Sequence, residues 1–513
     1  MPFTSILFEK PEDRPLHDQA DAETRDCITD LNLDQIIGAI TANREEYHLE
    51  PYFYTHLTDV RTIAYRQEVM QDLEAQNLSA TIGLFSHKMR TMRQYLDQEH
   101  KGYYKHQTER WFLDAVETYC TAVADLVKTL AFADLKSRGL IEFRDYLTDY
   151  RSNAEFLSLW EETTQLKTDL AGIQYSLLIK GHRIQVQHYD GEADYSTVVQ
   201  DTFSKFKVGP TKDYRVPLPS AGDMNHVEAA ILDLVAQLFS EVFTRLDHFC
   251  ATHRNYLDGR LGLFDREIQF YLAYIEYMAV FKKAGLAFCY PSFSNPGKAV
   301  HSYESFDLAL ANKLLAQRAT VVCNDFSLEP PERIVVVSGP NQGGKTTFAR
   351  TFGQLHYLAS IGCPVPGREA RVFAFDNLFT HFEREENRGD FRGKLQDDLV
   401  RIHEILSQAT SSSIIIMNEI FTSTTLQDAI FISEQVMTEI LQRDMLGVCV
   451  TFIEELSSLS DAIVSMVSTV VPDNPALRTY KIVRKSASGQ SYALSIAEKH
   501  RLTYAWLKER IPS

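Results

Sequence analysis

Gly339-x-x-x-x-Gly344-Lys345-Thr346 follows a β-branched run, Ile334 to Val337, and precedes a helical pattern from Thr347 through Leu355. Residues of these types at this spacing can hold a chain of phosphates. Gly339 and Gly344 let the backbone curl so that its N–H groups point inward. The following helix adds its positive N-terminal end. Lys345 supplies a point charge for β- and γ-phosphates, and the Thr346 hydroxyl suits Mg²⁺. Strand, glycine loop and helix in this order make the motif specific. Gly339, Pro340, Asn341, Gln342, Gly343, Gly344, Lys345, Thr346 and Thr347 are therefore candidate nucleotide-binding residues.

A second apolar strand pattern, Ile414 to Met417, ends in Asn418-Glu419. ATPases with a phosphate loop place an aspartate here to hold a metal-bound water, then a glutamate to orient the attacking water. Glu419 is the candidate catalytic base, and Asn418 joins Thr346 as a candidate metal ligand. An amide in place of a carboxylate gives up charge assistance of roughly 1–2 kcal/mol. Weak Mg²⁺ binding and slow hydrolysis are expected. Beyond it, Thr422, Ser423, Thr424, Thr425 and Asp428 crowd the start of a helical pattern from Leu426 to Leu441. Hydroxyls there can bind an anion or cap the helix. Asp376, Asp397 and Asp398 lie between the two strands; solvated loop acids are expected, with assistance to Mg²⁺ or water as the alternative.

Asn341 within Gly339-Pro-Asn-Gln-Gly-Gly-Lys-Thr-Thr347 resembles the phosphate loop of the MutS family of DNA mismatch-repair ATPases. Three further segments are similar to that family in its order: Ile361 to Gly367 with Phe375 to Thr380, Ile414 to Thr425 with Asp428, and Val448 to Thr451. The resemblance covers roughly residues 320–510. It implies an ABC-like ATPase fold, ATP and Mg²⁺ as ligands, and a homodimer acting on DNA. It also implies that the Thr422–Asp428 loop reaches in trans to the partner's γ-phosphate. This sequence departs from the family at Asn418, and at Phe452, where the family has a histidine that senses γ-phosphate.

Other segments must position these residues. Leu31, Leu33, Ile36, Ile37 and Ile40 form an apolar stripe, and Thr58 or Asp59 is placed to cap a helix. Leu78 to Leu96, Trp111 to Leu135 and Phe143 to Leu170 repeat apolar residues at helical spacing. Tyr103, Tyr104 and Trp111 are expected to pack between these helices rather than stack on bases. Tyr175 to Lys180 and Arg183 to His188 flank Gly181 and read as a hairpin. The MutS resemblance places a DNA-touching clamp at this point, here shortened. Lys180, Arg183, Lys205 and Lys207 are candidate DNA contacts, but Asp190, Glu192, Asp194 and Asp201 balance them, and a solvated hairpin is the equal alternative.

The expected architecture is an α-helical core and lever region with a small β insertion, followed by an α/β P-loop NTPase domain. The divisions are an extended lead-in over 1–30, core and first lever helices over 31–171, the reduced clamp over 172–223, returning lever helices over 224–297, and the ATPase domain over 298–513. The residues before Leu31 are too few for the family's mismatch-reading domain, so direct mismatch reading is not expected. No nuclease domain is expected after the ATPase.

Composition narrows the classes. The seven cysteines are scattered without a C-x-x-C pair, which fits reduced thiols in a cytoplasmic protein. No apolar run is long enough for a membrane span. The net charge of −17 argues against indiscriminate duplex binding, although a local basic channel is compatible with it. What the MutS resemblance implies is a slow, ATP-gated dimeric clamp on duplex or branched DNA in repair or recombination. The alternative is an ATP-gated protein-interaction switch that has lost DNA binding.

Overall fold

The structure is a computed structural model that describes residues 3–10, 22–75, 78–192, 197–199, 202, 224–294, 297–383, 393–472, 474–486 and 502–510. Its contacts form two compact units. One comprises Met1–Phe3, Gln76–Leu135 and Ile141–Asp265, and the other Thr4–Ala75, Lys136–Leu140 and Arg266–Ser513.

Among its described residues, the first unit is helical apart from one hairpin. Leu78–Lys101 and Lys105–Phe132 are its longest described helices. They bury Ile82, Phe85 and Met89 on one, and Phe112, Val116, Tyr119 and Val123 on the other, at helical spacing. The helix expected over Phe143–Leu170 is two helices, Arg138–Ser152 and Ala154–Ala171. Asn153 separates them, its side chain accepting from the Glu155 N–H, because asparagine competes for backbone bonds better as a cap than inside a helix. Strands β1 (Tyr175–Lys180) and β2 (Arg183–His188) pair antiparallel in the expected hairpin. Trp111 packs over Gly102, as expected. Tyr103 does not pack: it is 89% exposed on the link between the two long helices.

The second unit holds the sheets. Short strands β3 (Phe288–Cys289) and β4 (Ser292–Phe293) precede β5 (Val300–Ser305), β6 (Asn324–Leu328) and β7 (Ile334–Ser338). Then come β8 (Val365–Pro366), β9 (Glu369–Val372), β10 (Leu378–Phe382), β11 (Ile414–Asn418) and β12 (Leu446–Val450). The last described strands are β13 (Ile463–Val471) and β14 (Asn474–Arg484). The main sheet runs β10-β11-β12-β7-β13-β14, parallel except for β14 at the edge. Its continuous apolar strands fit burial on both faces. Ile334, Val336, Ile415, Met417 and Cys449 face a core shared with helices Lys394–Gln408 and Leu426–Gln442. Ile416, one residue out of phase, turns to the other face and meets the phosphate-loop helix Lys345–Ser360 at Gly353. A Cβ on Gly353 would lie 2.7 Å from both Ile416 Cδ1 and Leu31 Cδ1, so glycine lets helix, sheet and the N-terminal segment close together. A smaller sheet, β4-β9-β5-β6, stands beside it in the same unit.

The lead-in expected over 1–30 is not extended throughout. Ala22–Asp30 is a helix, and Phe3, Ile6, Leu7 and Phe8 are buried. The boundary expected after residue 30 is absent for the same reason. Arg350 Nε donates to Asp30 O at 2.8 Å, Thr380 Oγ1 to Asp30 Oδ2 at 2.7 Å, and Gln354 Nε2 to Leu31 O at 2.9 Å. Arg66 is fully buried and donates to Leu7 O and Ile361 O, both at 3.0 Å. Its guanidinium also lies over the Phe8 ring. Residues 4–75 thus belong to the second unit, and the division expected between 297 and 298 falls inside that unit. Helix Val60–Ala75 starts where expected, with Asp59 Oδ1 accepting from the Arg61 N–H. No helix among the described residues is long and apolar enough to cross a membrane.

Candidate nucleotide site

The phosphate loop leaves β7 and enters helix Lys345–Ser360 as the sequence predicts. Gly339 has φ 120°, Gly344 φ 93°, and Gln342 φ 59°. The two glycines meet a backbone requirement, and Gln342 adopts a left-handed conformation that few side chains favour. Gly343 is required for another reason. A Cβ there would fall 2.2 Å from Ser468 Oγ, which donates to Gly343 O at 2.7 Å. Ser468 lies on β13, whose register sets Val467 opposite Ser338. On the other side, Arg478 Nε of β14 donates to Asn341 O at 3.1 Å. Sequence reading found neither support, because both come from strands more than a hundred residues away.

Lys345 is buried, and its Nζ donates to Gly339 O at 3.1 Å and Pro340 O at 3.3 Å. Burial lowers its pKa from the ordinary lysine value, and the nearby Glu419 partly offsets that. Thr346 Oγ1 donates to Asn418 Oδ1 at 2.9 Å. The two expected metal ligands, 72 residues apart, are therefore in contact. Both offer hard neutral oxygens, which suit Mg²⁺ that keeps waters and leans on phosphate oxygens. Among the described residues no group of three His, Cys, Asp or Glu could hold a metal alone. Thr347, next along, has its carbonyl occupied by the Thr351 hydroxyl.

Glu419 leaves the end of β11 at φ 57°, and its N–H donates to Val450 O at 2.9 Å. Phe421 repeats the positive φ at 57°. Two non-glycine residues in this region cost on the order of 1–3 kcal/mol each, a strain typical of sites that aim a side chain. Burial raises the Glu419 pKa from the ordinary glutamate value, against the opposing charge of Lys345.

Of the three acids expected to be solvated, only Asp397 is exposed. Asp376 accepts from Ser413 Oγ at 2.7 Å and from Thr410 Oγ1, so it braces the turn before β11. Asp398 is half-buried, which raises its pKa, and it accepts from the Phe421 N–H beyond Glu419. Neither role was legible, because each depends on a turn distant in sequence.

Thr422, Ser423, Thr425 and Asp428 are exposed at the start of helix Leu426–Gln442, with Thr424 half-buried. Thr425 is the cap: its side chain accepts from the Asp428 N–H, and Thr425 Oγ1 donates to Asp428 Oδ2 at 2.8 Å. Thr424 Oγ1 donates weakly to the same carboxylate at 3.4 Å. Within one chain, the capping alternative is thus realised. Lys180 and Arg183 face each other across the hairpin turn and are exposed. Lys205 and Lys207 lie outside the described residues.

The family model for MutS domain V matches residues 335–509. The "Endonuclease MutS2" of Thermus thermophilus is 31% identical over 193 residues, 36% of this chain and 25% of that protein. The "Endonuclease MutS2" of Gemmatimonas aurantiaca is 29% identical over 206 residues, 39% of this chain and 25% of that protein. The "DNA mismatch repair protein MutS" of Thermotoga neapolitana is 24% identical over 381 residues, 70% of this chain and 44% of that protein. The matches thus span less than half the length of these relatives. The domain match covers the phosphate loop, Asn418-Glu419 and the Thr422–Asp428 loop, and by it residues 335–509 belong with MutS domain V.

Proposed function

We propose that the chain binds and slowly hydrolyses ATP, and that ATP closes a homodimer on duplex or branched DNA in repair or recombination. One observation carries the nucleotide reading: Thr346 of the phosphate loop is bonded to Asn418, with Glu419 as the next residue. The loop N–H groups and Lys345 would hold the phosphates. Thr346 and Asn418 would hold Mg²⁺, which when bound neutralises phosphate charge. Glu419 would orient a water and take its proton as that oxygen attacks the γ-phosphorus, the bond to the β–γ bridging oxygen breaking so that ADP and inorganic phosphate leave. Its raised pKa makes it a stronger base than a solvated carboxylate. The exposed hydroxyls of Thr422, Ser423, Thr424 and Thr425, with Asp428, would complete the site of the partner subunit. DNA binding is supported by the relatives' names and by Lys180 and Arg183 at the hairpin turn.

A second reading is favoured by one feature. The hairpin exposes apolar side chains, with Ile179 68% exposed beside Leu177 and Leu178. Together with the net charge of −17, this suits a protein partner better than a phosphate backbone. Fluorescence anisotropy on homoduplex, mismatched, single-stranded and four-way-junction DNA separates the two readings. It is run with and without ATP and Mg²⁺ at two salt concentrations, with Glu419→Gln as the ATP-trapped control. Nucleotide-dependent, salt-sensitive binding supports the clamp. ATP binding and dimer formation without DNA binding support the interaction switch.

A further inference from the structure

Phe452 is 49% exposed, yet its ring is held over the phosphate-loop lysine: Lys345 Nζ lies 4.2 Å from the ring centroid. Its backbone is pinned on both sides. The Thr451 N–H donates to Val337 O at 3.1 Å, and the Ile453 N–H donates to Thr451 Oγ1 at 3.0 Å. The ring therefore hangs from a fixed point at the end of β12, next to β7, from which the loop begins. An ammonium carries three N–H groups. Gly339 O and Pro340 O accept from Nζ on one side, and the ring face occupies another.

We infer that Phe452 is a positioning residue that parks the Lys345 ammonium against its own loop, so that incoming phosphate must displace the ring from it. This rests on the nucleotide reading above and adds a competitor to it. The negative face of a phenyl ring attracts a cation without accepting a proton or making a directed bond. It can therefore hold the ammonium but cannot hydrogen-bond to phosphate. The loop carbonyls and the ring together compensate the charge of a buried lysine before any anion arrives. The consequence is an affinity for nucleotide lower than the loop alone would give.

The test is a series in which Phe452 is replaced by its mono-, di- and trifluoro analogues in the full chain. Fluorine withdraws charge from the ring face with little change in shape, so a packing role would leave the series flat. Dissociation constants for ATP and ADP are read by calorimetry. Stepwise tightening with each fluorine is expected, reaching about two- to tenfold, the range a partly exposed cation–π contact supports. Phe452→Leu should tighten binding by a similar factor, and Phe452→Trp should weaken it. A flat or reversed series, with the unsubstituted protein still binding ATP, overturns the inference and leaves the nucleotide reading standing. No nucleotide binding by the unsubstituted protein overturns both.

Discussion

Asn418→Asp should convert a weak Mg²⁺ site into a tighter one. Asn418 is 9% exposed, and its Oδ1 already accepts from Thr346 Oγ1 at 2.9 Å, so the new carboxylate enters a formed contact without rebuilding the strand end. A hydrogen bond between neutral groups contributes roughly 1 kcal/mol, and one to a charged group about 1.5–3 kcal/mol. The gain is therefore about 0.5–2 kcal/mol, or roughly 2- to 30-fold in the Mg²⁺ concentration that half-saturates nucleotide binding. The same charge has a cost. Without metal, the carboxylate is buried next to Glu419, whose pKa is already raised by burial. The variant should melt below the parent in the absence of Mg²⁺ and ATP, and recover when both are added. A fluorescent-nucleotide titration over a range of Mg²⁺ gives the first quantity, and thermal unfolding with and without ligand gives the second. An unchanged half-saturating Mg²⁺ together with unchanged turnover would refute the argument that the amide weakens this site.

Glu419→Gln should abolish hydrolysis while retaining ATP binding. In the parent, turnover should fall toward acid with a midpoint above the ordinary glutamate value, because burial raises this carboxyl; a pH–rate profile checks it. Gly353→Ala should destabilise the second unit by about 1–3 kcal/mol, since the added methyl meets Ile416 and Leu31; denaturant unfolding reads the loss. In the helical unit, burial and the facing Asp247 carboxyl push Glu109 up to about 7, against His106 Nδ1 at 2.9 Å from Glu109 Oε2. The folded state holds this proton more tightly than the unfolded chain. Glu109 thus adds stability that is full below about 4.5 and lost as pH rises through about 7. Melting temperatures on either side of neutrality should show the fall, and Glu109→Gln should flatten it.

The phosphate loop, its flanking strand and helix, and the Asn418-Glu419 strand end were legible because each is a local event. Left-handed glycines, β-branched runs and helix starts act over a few neighbouring residues, so the sequence carries them in its spacing. The hairpin of β1 and β2 was legible for the same reason, its turn and alternation lying within one short stretch. The break at Asn153 was missed because one polar residue in a long apolar pattern decides it.

What the spacing could not carry is every support that arrives from far along the chain. Ser468 and Arg478 hold the loop from β13 and β14, and nothing in their own neighbourhoods marks them. Asp30 and Leu31 brace the phosphate-loop helix across more than three hundred residues, which erased the division expected after residue 30. Phe452 could be read from the sequence only as a missing hydrogen-bonding side chain. Its ring lies over Lys345 because β12 and β7 are paired in one register, and that pairing is a property of the sheet. The sequence by itself determined the local elements, the strand, the glycine turn, the helix after it and the strand end at Asn418-Glu419. Tertiary structure alone decided what holds those residues in place, because burial and register are set by parts of the chain that sequence order keeps apart.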